Sequence, residues 1–499
     1  MDLLKLQNGS DIRGVAVEGV PGENVNLTPE IARQIGCAYV SWLAKKIDCD
    51  PNALHIGVGR DSRITGEALA DGVMAGIVSA GANVVDCGMA TTPAMFMSIV
   101  FPESNFEGAV MITASHLPYN RNGIKFFDED GGLEADDITE ILNLAGFLNP
   151  AKVEAEIHVF DFINIYADYL KNKICEELGS KEEDKPLKNL HIVVDSGNGS
   201  SGFFVDKILQ PLGADTTGSQ FLEPDGMFPN HIPNPENKQA MEAIKNAVVN
   251  NHADLGLIFD TDVDRMSAVL ADGTEINRDS IIAMIAAILA PQYPGSTIIT
   301  DSVTSDRLTY FLEEVLGLKH LCYMRGYKNV INKQKELNAK GICAPLAMET
   351  SGHGALKDNY YLDDGAFLAV KLIVAMAKMA KDGKKLDDLI SQMPPLVEEG
   401  EYRFKISGDE YKEYGQRVLK EFKSRAETCG YKMPKSYEGV RLSFKGEDVQ
   451  GWILLRMSLH DPVMPLNIEG ARKGDLAKLV KIAQNLTEGF DRLDRSCLK

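Results

Sequence analysis

One order of segments, met three times, limits what this chain can fold into. An apolar stretch runs into an Asp-Ser pair and then into a helical pattern at HIGVGRDSRITGEAL (55–69), HIVVDSGNGSSGFF (191–204) and STIITDSVTSDRL (296–308). Each is followed by a second unit, in which a strand meets a polar loop, a short strand follows and an Asp-Gly turn closes. These units are GAVMITASHLPYNRNGIKFFDEDG (108–131), LGLIFDTDVDRMSAVLADG (255–273) and CAPLAMETSGHGALKDNYYLDDG (343–365). Stretches of helical period, such as 66–80 and 237–250, lie between the units. The order is that of a repeated α/β unit, and each copy sets a polar loop after a buried strand, where α/β sheets bind ligands.

The repeat predicts three similar mixed-sheet α/β domains around a central cleft, at 1–152, 153–277 and 278–393. A polar loop is expected at 180–188, and Pro394-Pro395 is expected to break the helix before it. The remaining residues, 394–499, change rhythm: short strands at 402–406, 439–444 and 452–456 alternate with helical stretches at 409–428 and 473–490, as in a smaller α+β domain. The apolar run 281–290 is too short to span a bilayer and reads as a core helix.

Net charge bounds the partners. With 72 acidic against 52 basic side chains the chain carries −20, so neither nucleic acid nor an anionic membrane is expected to bind it. The eight cysteines form no CxxC pair and no secretory signal opens the chain, which reads as reduced thiols in a cytoplasmic protein. An anionic small substrate then needs a locally gathered positive site.

Such a site is written into the loops. DTDVDR places Asp260, Asp262 and Asp264 at alternate positions after an apolar strand, with Arg265 following. Three carboxylates so close repel unless a hard divalent cation with oxygen ligands joins them, and the calcium-hand spacing is absent. METSGH offers Glu349, Ser351 and His353, groups suited to sugar hydroxyls. Arg13, Arg60 with Arg63, Lys125, and Arg325 with Lys328 stand on loops beside these motifs, where they suit a phosphorylated substrate. TASH, closing a buried-looking strand, presents Ser115 beside His116.

These motifs together resemble those of the α-D-phosphohexomutase superfamily, the phosphoglucomutase and phosphomannomutase group, in order and over nearly the whole chain. TASHLP resembles the family's Thr-Ala-Ser-His-Asn-Pro phosphoserine loop, with Leu117 replacing Asn. DTDVDR resembles its Asp-Gly-Asp-Gly-Asp-Arg metal loop, with Thr261 and Val263 replacing the glycines, and METSGH its sugar loop. The nearest match to its phosphate loop, Arg-Pro-Ser-Gly-Thr-Glu-Pro, is RMSLHDP, which keeps Arg456, Ser458 and Pro462 but carries Leu459 and His460 at the Gly and Thr positions.

The resemblance implies a phosphotransferase that interconverts glucose or mannose 1- and 6-phosphates through a phosphorylated Ser115 and a hexose 1,6-bisphosphate. Mg2+ would be held by Asp260, Asp262, Asp264 and an oxygen on Ser115. Arg265 would hold the serine's phosphate, Glu349 and Ser351 the sugar. Arg456, Ser458 and His460 would hold the second phosphate, and Lys125 and His353 are the candidates for the proton transfers. His353 is chosen because an unperturbed imidazole titrates near neutrality. A monomer or a dimer is equally compatible. Three alternatives stay open. One is a phosphoglucosamine mutase. Another is a haloacid-dehalogenase-type phosphatase using Asp260 as nucleophile with Lys357 and Asp363-Asp364. The last is a non-catalytic sugar-phosphate sensor.

Overall fold

The computed structural model describes residues 2–151, 157–458 and 461–498. They fall into two compact units, Met1–Asn277 with Ser351–Asp388, and Arg278–Thr350 with Leu389–Lys499. The segment expected as a third domain therefore contributes to both.

In the first unit the leading sheet runs in the order Gln7–Asn8, Asp11–Val15, Arg121–Asp128, Gly108–Ile112, His55–Arg60, Asn83–Met89, His158–Val159. His55–Arg60 is parallel to both Gly108–Ile112 and Asn83–Met89, while Arg121–Asp128 returns antiparallel to Gly108–Ile112. The helices have sequence-encoded starts. Thr28 caps Pro29–Lys46 by accepting from the Ile31 N–H, and Thr91 caps Thr92–Val100 by accepting from the Ala94 N–H. Helices Pro29–Lys46 and Gly66–Ser79 approach so closely that a Cβ at Gly76 would lie 2.1 Å from the Arg33 carbonyl oxygen, which is why glycine stands there. The core between helices and sheet gathers Ile35, Tyr39, Leu43, Ile56, Val58, Val73 and Val110, all fully buried.

A second sheet in this unit orders Glu275–Ile276, Met266–Leu270, Leu255–Phe259 and Ile192–Asp195, the last two parallel. It is followed along the chain by the hairpin Gly354–Leu356 with Leu362–Asp363. The helical pattern after Ile192–Asp195 is irregular, forming a turn of π-helix at Phe204–Leu209.

The second unit holds three parallel strands in the order Lys319–Cys322, Thr297–Thr300, Leu346–Met348. It also holds an antiparallel sheet ordered Val440–Lys445, Gln450–Leu455, Val463–Gly470, Glu398–Ile406, Leu493–Asp494. Helices Tyr411–Thr428 and Asp475–Leu486 bury Val418, Phe422, Leu479 and Ala483 against that sheet.

Two expectations need correction. Residues 180–188 are not wholly loop, since Glu182–Asp184 form a 3-10 turn. The Pro394-Pro395 pair breaks no helix. Gly365–Lys381 ends at Asp382-Gly383, where Gly383 takes φ 68° and Lys384 N–H returns to the Met379 carbonyl, a glycine-terminated cap. No described helix is long and apolar enough to cross a membrane.

Candidate active site

Strand Gly108–Ile112 is buried at every residue and delivers Ser115 to a polar interior. Ser115 holds φ 50°, the left-handed region that non-glycine residues seldom occupy, and its N–H donates to Thr113 Oγ1 over 2.8 Å. Its hydroxyl donates to Asp260 Oδ2 at 2.9 Å and accepts from Arg265 Nη2 at 3.0 Å. His116 Nδ1 stands 3.3 Å from the same oxygen.

Asp260, Asp262 and Asp264 each place a carboxylate oxygen within 4.8 Å of the others, and all three residues are buried. Lys125 Nζ donates to Asp264 Oδ2 at 2.6 Å and to Asp262 Oδ2 at 3.1 Å. Arg265 Nε donates to Asp260 Oδ2 at 3.0 Å. Asp262 Oδ1 and Asp264 Oδ1 remain buried with no hydrogen-bond partner. Orphaned carboxylate oxygens are costly in a protein interior, and a hard cation supplies what they lack. The donor set thus fits a divalent metal ion. Burial, then Asp264 and Asp262, push the Asp260 carboxyl well above its ordinary range. Burial also raises Asp264, but Lys125 and Arg265 outweigh it and hold that carboxyl below its usual value.

The backbone of the aspartate loop is strained where the sequence departs from the family pattern. Val263 stands at φ 66°, a conformation rare for a β-branched residue, and is fully buried.

Besides Arg63, four further expected residues belong to this unit. Arg13 Nη2 pairs with Asp11 Oδ2 at 3.0 Å, and its Nε is buried without a partner. Arg60 closes strand His55–Arg60. Ser351 Oγ and His353 Nδ1 are 2.9 Å apart, and His353 Nε2 lies 3.6 Å from Asp264 Oδ1. The near-neutral imidazole expected at His353 is corrected: burial, then Arg265 and Lys125, push it well below its ordinary value. His116 is depressed as well, first by Arg265 and then by burial.

The other expected residues belong to the second unit. Glu349 is buried and Oε1 accepts from the Gly326 N–H at 2.7 Å. Lys328 sits in the first turn of helix Tyr327–Ala339. Arg325 Nε is 3.7 Å from Asp301 Oδ2, and its backbone N–H donates to Glu438 Oε2 at 3.0 Å. Arg456 is buried, its Nη1 3.4 Å from Glu438 Oε1 and its Nε without a partner. Ser458 Oγ accepts from the Asp461 N–H at 3.3 Å. His460, with Leu459, lies outside the described residues.

Sequence reading missed several participants. Thr92 donates its hydroxyl to Asp262 Oδ2 at 2.5 Å and its N–H to the Asp262 carbonyl at 2.9 Å. Glu438 gathers Ser302 Oγ at 2.6 Å as well as Arg325 and Arg456. The aspartates of the three Asp-Ser pairs are all fully buried. Asp61 is 3.3 Å from Arg63 Nε; Asp195 accepts from Gln220 Nε2 at 2.7 Å and meets His231 Nε2 at 3.0 Å; Asp301 accepts from Thr350 Oγ1 at 2.9 Å. The signal was the repeat itself, because a polar residue recurring after an apolar strand marks a pinned loop.

The phosphatase residues are arranged otherwise. Lys357 is exposed, while Asp364 caps helix Gly365–Lys381 and accepts from Tyr166 Oη at 2.6 Å.

Comparison with known proteins agrees with these motifs. Models for phosphoglucomutase/phosphomannomutase α/β/α domains I, II and III match residues 4–145, 164–273 and 277–396. The chain is 28% identical over 484 residues to a phosphomannomutase/phosphoglucomutase of Pseudomonas aeruginosa, covering 97% of this chain and 96% of that protein. It is 31% identical over 386 residues to a phosphoglucosamine mutase of Lactobacillus delbrueckii, covering 75% and 80%. A crystal structure of a phosphoglucomutase/phosphomannomutase family protein from Burkholderia thailandensis superposes with TM-score 0.79 at 25% identity, covering 98% of this chain and 99% of that one.

Proposed function

Because the chain belongs to the phosphoglucomutase/phosphomannomutase family, we propose that it interconverts hexose 1-phosphate and hexose 6-phosphate, with glucose or mannose as the sugar. Phosphorylated Ser115 transfers its phosphoryl group to the free hydroxyl of the substrate, giving a hexose 1,6-bisphosphate and an unmodified serine. The bisphosphate turns, and its other phosphoryl group returns to Ser115, releasing the isomeric monophosphate. The observation that carries this reading is the Ser115 hydroxyl held between Asp260 Oδ2 and Arg265 Nη2, at 2.9 and 3.0 Å, beside a buried carboxylate triad.

Asp260, Asp262 and Asp264 would hold Mg2+, which supplies charge stabilisation for the transferring phosphoryl group. Arg265 supports the same charge from the serine side. Lys125 and His353, both against the triad, are the candidates for moving the hydroxyl proton. Glu349 and Ser351 hold sugar hydroxyls. Arg13, Arg60, Arg325, Lys328, Arg456, Ser458 and His460 are assigned to the substrate's phosphate. The division into four domains at 152/153, 277/278 and 393/394, and a monomeric or dimeric state, belong to the same proposal. So does a cytoplasmic location, which the eight free thiols support.

A panel of glucose, mannose and glucosamine 1-phosphates, each with a trace of its bisphosphate, tests the reading. Conversion of glucose or mannose 1-phosphate to the 6-phosphate is expected. Preference for glucosamine 1-phosphate selects the alternative that the relative at 31% identity represents. Release of inorganic phosphate selects a phosphatase, and no conversion selects a sensor.

A further inference from the structure

Arg63, which the sequence offered beside Arg60 as a cation for substrate phosphate, points away from that role. Its side chain is fully buried. Nη1 donates to the carbonyls of Pro118 at 2.8 Å and Arg121 at 2.9 Å, and Nη2 to those of Leu117 at 2.7 Å and Ser115. Four carbonyls of one loop thus converge on one guanidinium. We propose that Arg63 is a positioning residue that sets the backbone of the loop carrying Ser115, touching no substrate itself. The proposal rests on the reading of Ser115 as phosphoryl carrier.

The chemistry of the fork explains the choice of residue. Apart from Arg121, which opens strand Arg121–Asp128, the loop carbonyls lie outside helix and strand and need donors when buried. A guanidinium presents its N–H groups in a fixed plane, so it fixes several peptide planes at once; an ammonium with three donors on a flexible stem does not. One gripped carbonyl is that of Ser115, whose φ of 50° persists only where the surroundings determine it. Asp61 Oδ2 lies 3.3 Å from Nε and offsets the charge. The Phe228 ring covers the guanidinium with its centroid 5.2 Å away, on a side chain that is fully buried. This cover leaves no approach for a phosphate.

Arg63→Lys keeps the charge and removes the fork. The expected result is a kcat lower by about 10²-fold, the cost of a misplaced reacting group, with KM within about threefold. Amide hydrogen exchange should quicken across 113–121 and stay unchanged elsewhere. Asp61→Asn leaves the guanidinium itself in place but removes its counter-charge and alters the carboxylate's bonds to the Arg63 N–H and to Thr113; it should move both readouts the same way by less, and it serves alone if the lysine variant does not fold. A KM raised tenfold or more at unchanged kcat would make Arg63 a substrate contact and overturn the proposal. So would unchanged exchange at 113–121 in the folded variants. The exchange measurement needs no substrate, so it judges Arg63 separately. A parent protein without mutase turnover would instead overturn the functional reading.

Discussion

The surroundings of Ser115 in the first unit and of Arg456 in the second are both buried and charged, yet they are balanced in opposite ways. Around Ser115 the cations Lys125 and Arg265 meet three carboxylates, and two carboxylate oxygens are left over. Around Arg456 the cations are met by this chain's own Asp301 and Glu438. The first arrangement asks for a cation. In the second, Glu438 accepts from Ser302 Oγ and the Arg325 N–H and stands 3.4 Å from Arg456 Nη1, as a phosphate would. The serine's surroundings therefore lack a cation, whereas the cations of the second unit are already met by internal carboxylates, with which the proposed phosphate would compete.

The largest effect expected from this contrast is at the triad. Asp262→Ala should lower turnover by about 10²–10³-fold, the scale of a lost charge-stabilising group, and weaken Mn2+ binding measured by calorimetry. Unchanged metal affinity would remove the first half of the comparison. Arg456→Ala should act on binding: the substrate concentration for half-saturation should rise roughly tenfold or more, because a charge-assisted contact contributes about 1.5–3 kcal/mol, with kcat less affected. A loss confined to kcat would place Arg456 with the chemistry and erase the contrast.

The smallest effect concerns stability. Burial, then the nearby Asp279, lift the Glu469 carboxyl from 4.5 to about 7; Arg307 and Ser305 oppose the rise and Asp306 adds to it. The folded state therefore binds this proton more tightly than the unfolded chain does. Its stabilising contribution is complete below about 4.5 and is lost as pH rises through about 7. The Tm of the parent should fall more steeply between pH 5 and pH 8 than that of Glu469→Gln, and parallel curves would contradict this.

The legible parts of the molecule were those carried by contiguous residues. Ser115 and the three aspartates each follow a fully buried strand, and the strand-to-polar-loop change is visible without partners. What stayed hidden depends on partners far along the chain. Arg63 looked like one more loop cation because its four carbonyls belong to residues 115–121. Glu438 carried no motif, although it joins Ser302, Arg325 and Arg456. The depressed pKa of His353 was hidden too, because burial and Arg265 act only in the fold.

Phosphate on Ser115 decides most directly between a mutase and its rivals. The protein is incubated with glucose 1,6-bisphosphate, desalted and digested, and the peptide containing Ser115 is followed by mass spectrometry before and after glucose 1-phosphate is added. Phosphate should sit on Ser115, leave on addition of the monophosphate at a rate no slower than turnover, and be absent from Ser115→Ala, which should not turn over. A Ser115 that stays unmodified while the protein converts glucose 1-phosphate, or an alanine variant of ordinary activity, would contradict the mechanism.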